Sequence, residues 1–169
     1  MALVDEGARP TVPDVAQRAG VSVRTVYHHF DGVQQLLEAG VFLQSARHRG
    51  LLFTIPPHGR SELRIAALCR QRRHYFEEVT PIRRLALSRS TTGSGPGALV
   101  AADRAVLRDQ LAHTLAPELG TRGDGGADLL DALEHAMDWN AWNGLREDRR
   151  RSPTSAERVM ALTATSLLA

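Results

Sequence analysis

The chain has 169 residues, enough for one domain, or one domain with a small module attached, at roughly 100 to 200 residues per domain, and too few for a large multidomain enzyme. Its 21 basic side chains, all arginines, nearly balance 19 acidic ones, which permits a nucleic-acid partner and excludes a uniformly basic coat. The charges are unevenly placed: Arg47 to Arg89 holds ten arginines against three acids, and Ala101 to Asp148 four against ten.

Alanine (23) and leucine (22) dominate and aromatics are 5%, so strand formers are scarce and an all-α fold is expected. From Thr11 a first short helix is predicted, with the Thr11 hydroxyl capping its first turn and Asp14 answering from three residues on. Val12, Val15, Ala16 and Ala19 form its apolar stripe, and Gly20 ends it. Ser22 caps a second helix in which Val23, Val26 and Phe30 face inward while Arg24, Thr25 and His28 face out. Asp31-Gly32 closes it. A third helix follows from about Val33 to Arg47, through Leu36, Leu37, Gly40, Val41 and Gln44.

Thr54 to Gly59 is a break, because its two prolines donate no backbone hydrogen bond. Ser61 to Glu78 reads as a helix through Leu63, Ala66, Ala67, Arg70 and His74, with Cys69 a plain buried position. The run Arg70, Arg72, Arg73 reads as a solvated face. Pro81 is expected to open another short helix containing Ile82, Leu85 and Ala86, and Thr91 to Gly97 to be an exposed connection. Val100, Leu107, Leu111 and Leu115 mark a helix closed near Pro117 to Gly120, and Thr121 to Gly126 is a loop. One helix is predicted from Ala127 to Leu145, apolar on two neighbouring faces. The last starts at Ser152 or Thr154, with Glu157 available to answer Thr154, and shows Ala156, Val159, Met160, Thr163 and Leu167.

Two short helices joined by Ala19-Gly20-Val21 make a helix-turn-helix, which places its second helix in the DNA major groove. Arg24 offers a forked donor to guanine, Thr25 can touch base or sugar, and Tyr27, His28 and His29 can reach phosphates. The specific signal is the string Val15-Ala-Gln-Arg-Ala-Gly-Val-Ser-Val-Arg-Thr-Val-Tyr-His-His-Phe30. It resembles the signature of the tetracycline-repressor (TetR) family, a short helix ending in Ala-Gly-Val-Ser and a recognition helix ending in Thr-x-Tyr-x-His-Phe. The resemblance runs from Val12 to about Leu37, and the order of later helices is similar to the family's ligand-binding domain.

What the resemblance implies is a homodimeric transcription factor, usually a repressor, released from a palindromic operator on double-stranded DNA by a small-molecule effector. It divides the chain into a DNA-binding module, 1–47, and a helical ligand-binding and dimerisation domain, 48–169. It places DNA contacts on Ser22, Val23, Arg24, Thr25, Tyr27, His28 and His29, with Thr11 and Val12 near phosphate. The family has a whole helix before the signature; here six residues precede Gly7, so much of that helix is expected to be absent, leaving Leu3 and Val4 as a reduced lid. Pro13 and Val33 stand where many members carry side chains that reach DNA.

The pocket implied by the family would be lined by candidates among Leu68, Phe76, Leu85, Leu107, Leu111, Met137 and Trp142. The two-sided apolar surface of the last two helices suggests a dimer interface over Leu129, Leu130, Leu133, Met137, Ala141, Val159, Met160 and Leu167. No catalytic constellation is visible: Asp131, His135 and Asp138 share one polar helix face, and Gly93 to Gly97 has no lysine to cradle phosphate. No cofactor or metal is expected. No apolar run approaches the roughly 18 residues of a membrane span, and Asp5 and Glu6 stand where a signal peptide carries positive charge, so a cytoplasmic protein without a membrane partner is expected. A rival reading is a helical dimerisation protein with a degenerate or truncated DNA-binding module.

Overall fold

The computed structural model describes residues 11–89 and 96–169; the expected lid of Leu3 and Val4 and most of the connection at Thr91 to Gly97 lie outside them. The described residues form nine α-helices and two short 3₁₀ turns, with no strand among them. The helices are α1 (Val12–Ala19), α2 (Val23–His29), α3 (Val33–His48), α4 (Ser61–Arg89), α5 (Pro96–Thr114), α6 (Ala116–Gly120), α7 (Gly126–Met137), α8 (Trp139–Glu147) and α9 (Pro153–Leu168). No described helix is long and apolar enough to cross a membrane.

The described residues pack as two compact units, one within 11–48, 79–89 and 96–103, the other within 49–78 and 104–169. In the first, Val12, Ala16 and Val26 make a small core against which Phe30 and Val33 pack. Gly40 of α3 lies where an added Cβ would touch the Ile82 side chain at 3.5 Å, and a buried Arg83–Asp103 ion pair of 2.9 Å joins α4 to α5.

Helix α4 runs unbroken through Pro81, where the sequence predicts a stop and a new start. The proline removes the bond to the carbonyl four residues back and crowds that carbonyl with its ring, and a helix held by packing on both sides of such a gap continues. Its buried stripe is also rotated from the expected one. Leu63, Arg70 and His74 are exposed, while Ile65, Leu68, Cys69, Tyr75 and Phe76 are fully buried, because the branched and aromatic side chains remove far more apolar area from water than Ala66 or Ala67.

Arg72 occupies that stripe, 1% exposed, and overturns the reading of a solvated arginine face. Its guanidinium donates to the Met137 carbonyl and to the Leu107 carbonyl, both at 2.8 Å, and burial lowers its pKa to about 10. Arg73 is engaged as well, pairing with Glu157 at 2.6 Å and Glu77 at 3.3 Å. Glu157 therefore answers Arg73, and the start of α9 is capped by Ser152, whose hydroxyl accepts from the Ser155 amide at 3.2 Å.

The helix expected from Ala127 to Leu145 is two helices. Asp138 takes an extended backbone (φ −80°, ψ 174°) and its carboxylate caps α8 by accepting from the Ala141 amide at 2.8 Å. Arg72 satisfies the carbonyl of Met137 at the end of α7, and Arg104 and Asn140 reach the other Asp138 oxygen at 3.3 and 3.1 Å. Further along, Arg104 bonds Glu134 at 3.0 Å and Arg108 bonds Asp131 at 2.6 Å and Glu134. Gly126 opens α7 so close to α6 that a Cβ would stand 2.7 Å from the Leu119 carbonyl.

Replacing Arg72 by methionine would leave the Met137 carbonyl at the end of α7 without a donor and remove a second bond to the Leu107 carbonyl inside α5, and we expect a loss of about 3 kcal/mol in urea unfolding. Asp138→Asn, which keeps an acceptor for Ala141, should cost less than Asp138→Ala, expected at about 1 kcal/mol.

Candidate nucleic-acid interface

The first two helices are too short to persist alone and are held by their ends and a small core. At the start of α1 the expected capping box is present: the Asp14 amide donates to the Thr11 hydroxyl at 3.4 Å, and the Thr11 amide donates to the Asp14 carboxylate at 2.7 Å. The hydroxyl also donates to that carboxylate at 2.6 Å. These bonds favour the ionised carboxyl and hold it below its ordinary value of 3.8. At the other end Gly20 turns left-handed (φ 68°, ψ 28°). The Val21 amide reaches back to the Ala16 carbonyl at 3.0 Å and the Gly20 amide to Gln17 at 3.2 Å, which satisfies the last carbonyls and sets the chain's exit.

Two residues on, the Ser22 hydroxyl accepts from the Thr25 amide at 3.0 Å and meets the Thr25 hydroxyl at 2.8 Å, so Ser22 and Thr25 hold each other in place. Helix α2 buries only Val26. Arg24, Thr25, His28 and His29 are exposed, and Tyr27, at 55% exposed, turns its ring outward. Val23, expected to face inward, is exposed, and Phe30 is half-buried at the helix end. The His28 and His29 rings stand edge to face with centroids 5.4 Å apart. Ser22, Arg24, Thr25, Tyr27 and His28 surround an open concavity of about 420 Å³. Seven of the nine expected DNA-contact residues, Ser22 through Thr25 and Tyr27 through His29, thus share one exposed helix and its cap. Thr11 is exposed at the start of α1. The Val12 side chain is core, leaving only its backbone amide to face an anion there.

The expected pocket residues Leu68, Phe76, Leu107, Leu111, Met137 and Trp142 are all buried in the second unit, with the Phe76 and Trp142 ring centroids 6.2 Å apart; the Leu85 side chain lies outside the described residues. Among the expected interface residues, Leu133, Met137 and Met160 are consumed by the unit's own core, while Leu129, Leu130, Ala141, Val159 and Leu167 remain half-exposed. Where α7, α8 and α9 meet there is an open groove of about 340 Å³. Ala136, Ala141, Val159 and Met160 line it with His135, Asn140, Gly144, Asp148 and Arg149. The sequence reading missed Gly144, Asp148 and Arg149; the signal for the first is a small residue at helical spacing from Asn140 and Ala141. Among the described residues no group of three His, Cys, Asp or Glu could hold a metal ion. Burial pushes the Cys69 thiol up to about 12, so no thiolate is offered at neutral pH.

The lowered carboxyl makes the capping box pH-dependent in one direction. Its contribution is complete above the ordinary carboxylate value and disappears as pH falls through the lowered one. Carboxyl carbon NMR should show Asp14 titrating below 3.8, and Thr11→Ala should move it back toward that value. Ser22→Ala should destabilise the first unit by about 1 kcal/mol, read by urea unfolding with amide NMR on Val23 to His29. An aromatic disulfide reagent should leave Cys69 unmodified at pH 8 in the folded chain and modify it fully in urea.

Residues 2–39 match the family model described as bacterial regulatory proteins, tetR family, a stretch that contains α1, α2 and the first part of α3. No curated protein and no solved structure matches the chain.

Proposed function

We propose that this chain, whose residues 2–39 match the model of the tetR family of bacterial regulatory proteins, is a ligand-responsive transcriptional repressor of that family that binds a palindromic operator as a homodimer and leaves it when a small molecule binds. The observation that carries the reading is α2 itself. One buried residue, Val26, fixes the helix to its module, and everything else on it faces outward in the matched region. Arg24 can fork onto guanine, and the Thr25 methyl, oriented through its hydroxyl by Ser22, can meet a base edge. Tyr27, His28 and His29 supply phosphate donors at the flank, and the backbone amide of Val12 at the start of α1 supplies another.

Two recognition helices related by a two-fold axis read two half-sites about 34 Å apart, or wider if the dimer splays them. The proposed division puts DNA binding in 1–47 and effector binding and dimerisation in 48–169. The effector would enter among Leu68, Phe76, Leu107, Leu111, Met137 and Trp142, an apolar and aromatic set that also holds the polar Arg72. The dimer would form through α7, α8 and α9. A regulator of this kind works in the cytoplasm, on DNA.

The test is a gel shift or anisotropy titration with the DNA upstream of its own gene. We expect a specific complex, and Arg24→Ala should weaken the best site by about 1 to 3 kcal/mol with little effect on random DNA. An equal loss on both would make Arg24 a phosphate contact. No specific complex from a chain that still dimerises would favour the dimerisation protein with a degenerate DNA module.

A further inference from the structure

The first turn of α2 presents an apolar side chain to solvent where its amphipathic pattern calls for a buried one. Val23 is 39% exposed, and Val21, on the other side of the Ser22 cap, is 43% exposed. On a helix of 3.6 residues per turn Val23 lies about 60° round from the buried Val26, at the edge of the outward face rather than beneath the helix. Val23 is the first residue of α2, and helical side chains lean toward the N-terminus, so its methyls project past the helix end. The groups beside it there are polar: the Ser22 and Thr25 hydroxyls meet at 2.8 Å, and Arg24 is exposed.

We propose that Val23 is a specificity-determining residue that selects a thymine in each operator half-site by packing on its C5 methyl. The inference rests on the operator binding proposed above and deepens it from a recognition helix to a named base. In a helix-turn-helix the N-terminal residues of the second helix meet the base edges. The recognition pattern of the major groove carries one methyl, that of thymine, and its other groups are hydrogen-bond donors or acceptors. Valine has no polar atom to return to them. Set against guanine, adenine or cytosine, it strips water from a polar edge and leaves that edge unbonded; set against the thymine methyl, it removes apolar area from both partners. One side chain thus attracts the right base and penalises the wrong ones. Arg24, the next residue along, carries the opposite chemistry, so a half-site that satisfies both combines a guanine with a nearby thymine.

Anisotropy titration of the full chain against synthetic duplexes of the DNA upstream of its gene tests this, each thymine being replaced in turn by deoxyuridine, which removes the methyl and keeps the polar edge. One thymine in each half-site should cost about fourfold in affinity when replaced, and the two together about fifteenfold. Val23→Ala should bind the unmodified duplex about as weakly as the parent chain binds the doubly replaced one, and should no longer discriminate deoxyuridine at those two positions. Alanine is the better helix former, so α2 is not weakened by the change, and circular dichroism checks the fold of the variant. Thr25→Ser removes the neighbouring methyl and keeps the hydroxyl that meets Ser22; it should still discriminate deoxyuridine there. A specific complex with no thymine sensitive to deoxyuridine overturns the selection by Val23 and leaves the operator reading standing. So does a sensitivity that survives Val23→Ala or vanishes in Thr25→Ser. The absence of a specific complex with any upstream duplex overturns the operator reading, and this inference with it.

Discussion

The second unit is organised around a cation buried in its apolar core. Arg72 stands in the apolar stripe of α4, and its two terminal nitrogens donate to carbonyls of α5 and of the end of α7. Removing a guanidinium from water is costly, and two carbonyls offset part of that cost by supplying partial negative charge at hydrogen-bonding distance. Glu134 and Asp138 add to the offset, since their charge favours the protonated form of Arg72. Where α7 ends, Arg72 supplies the donor that the Met137 carbonyl would otherwise lack, and Asp138, in an extended conformation, caps and begins α8. Arg104 and Arg108 then neutralise the carboxylates gathered at that bend.

The first unit depends on the opposite economy. Its apolar core is small, and its helices persist because the ends are satisfied by short polar side chains and one left-handed glycine. This suits a surface that recognises another molecule. A helix anchored by a single valine and capped by Ser22 keeps its remaining side chains for contact, and the pairing of Ser22 with Thr25 gives one of those contacts a fixed orientation before any partner arrives.

The sequence made the local features legible because they are encoded within four residues. Thr11 with Asp14 and Gly20 after Ala19 each satisfy their own neighbours, so spacing alone identifies them, whereas spacing left the cap of α9 open between Ser152 and Thr154. Spacing also gave the exposure of Arg24, Thr25 and His28 on α2, but it turned Val23 inward, where the structure leaves it exposed. Arg72 was not legible, although Ile65, Leu68, Arg72 and Phe76 form a clean stripe at helical spacing. The partners that make its burial tolerable are carbonyls 35 and 65 residues away, and backbone carbonyls leave no mark on a sequence pattern. The break at Asp138 was hidden likewise: an aspartate inside an apolar periodic run reads as a solvated position until the donor that releases the preceding carbonyl is known. Proline 81 misled in the other direction, since its local cost is real and only packing outweighs it.

The chemistry of Cys69 reaches beyond its place in the core. As the chain's one thiol, held protonated and shielded inside α4, it makes the folded molecule silent toward sulfhydryl reagents without any substitution. A cysteine installed on the outward face of α2 or on the arginine turn before α9, Arg149 to Arg151, would then be the sole reactive sulfur. Spin labels or fluorophores placed in this way would report on α2 and on the arginine turn in solution, against a background that contributes no signal of its own.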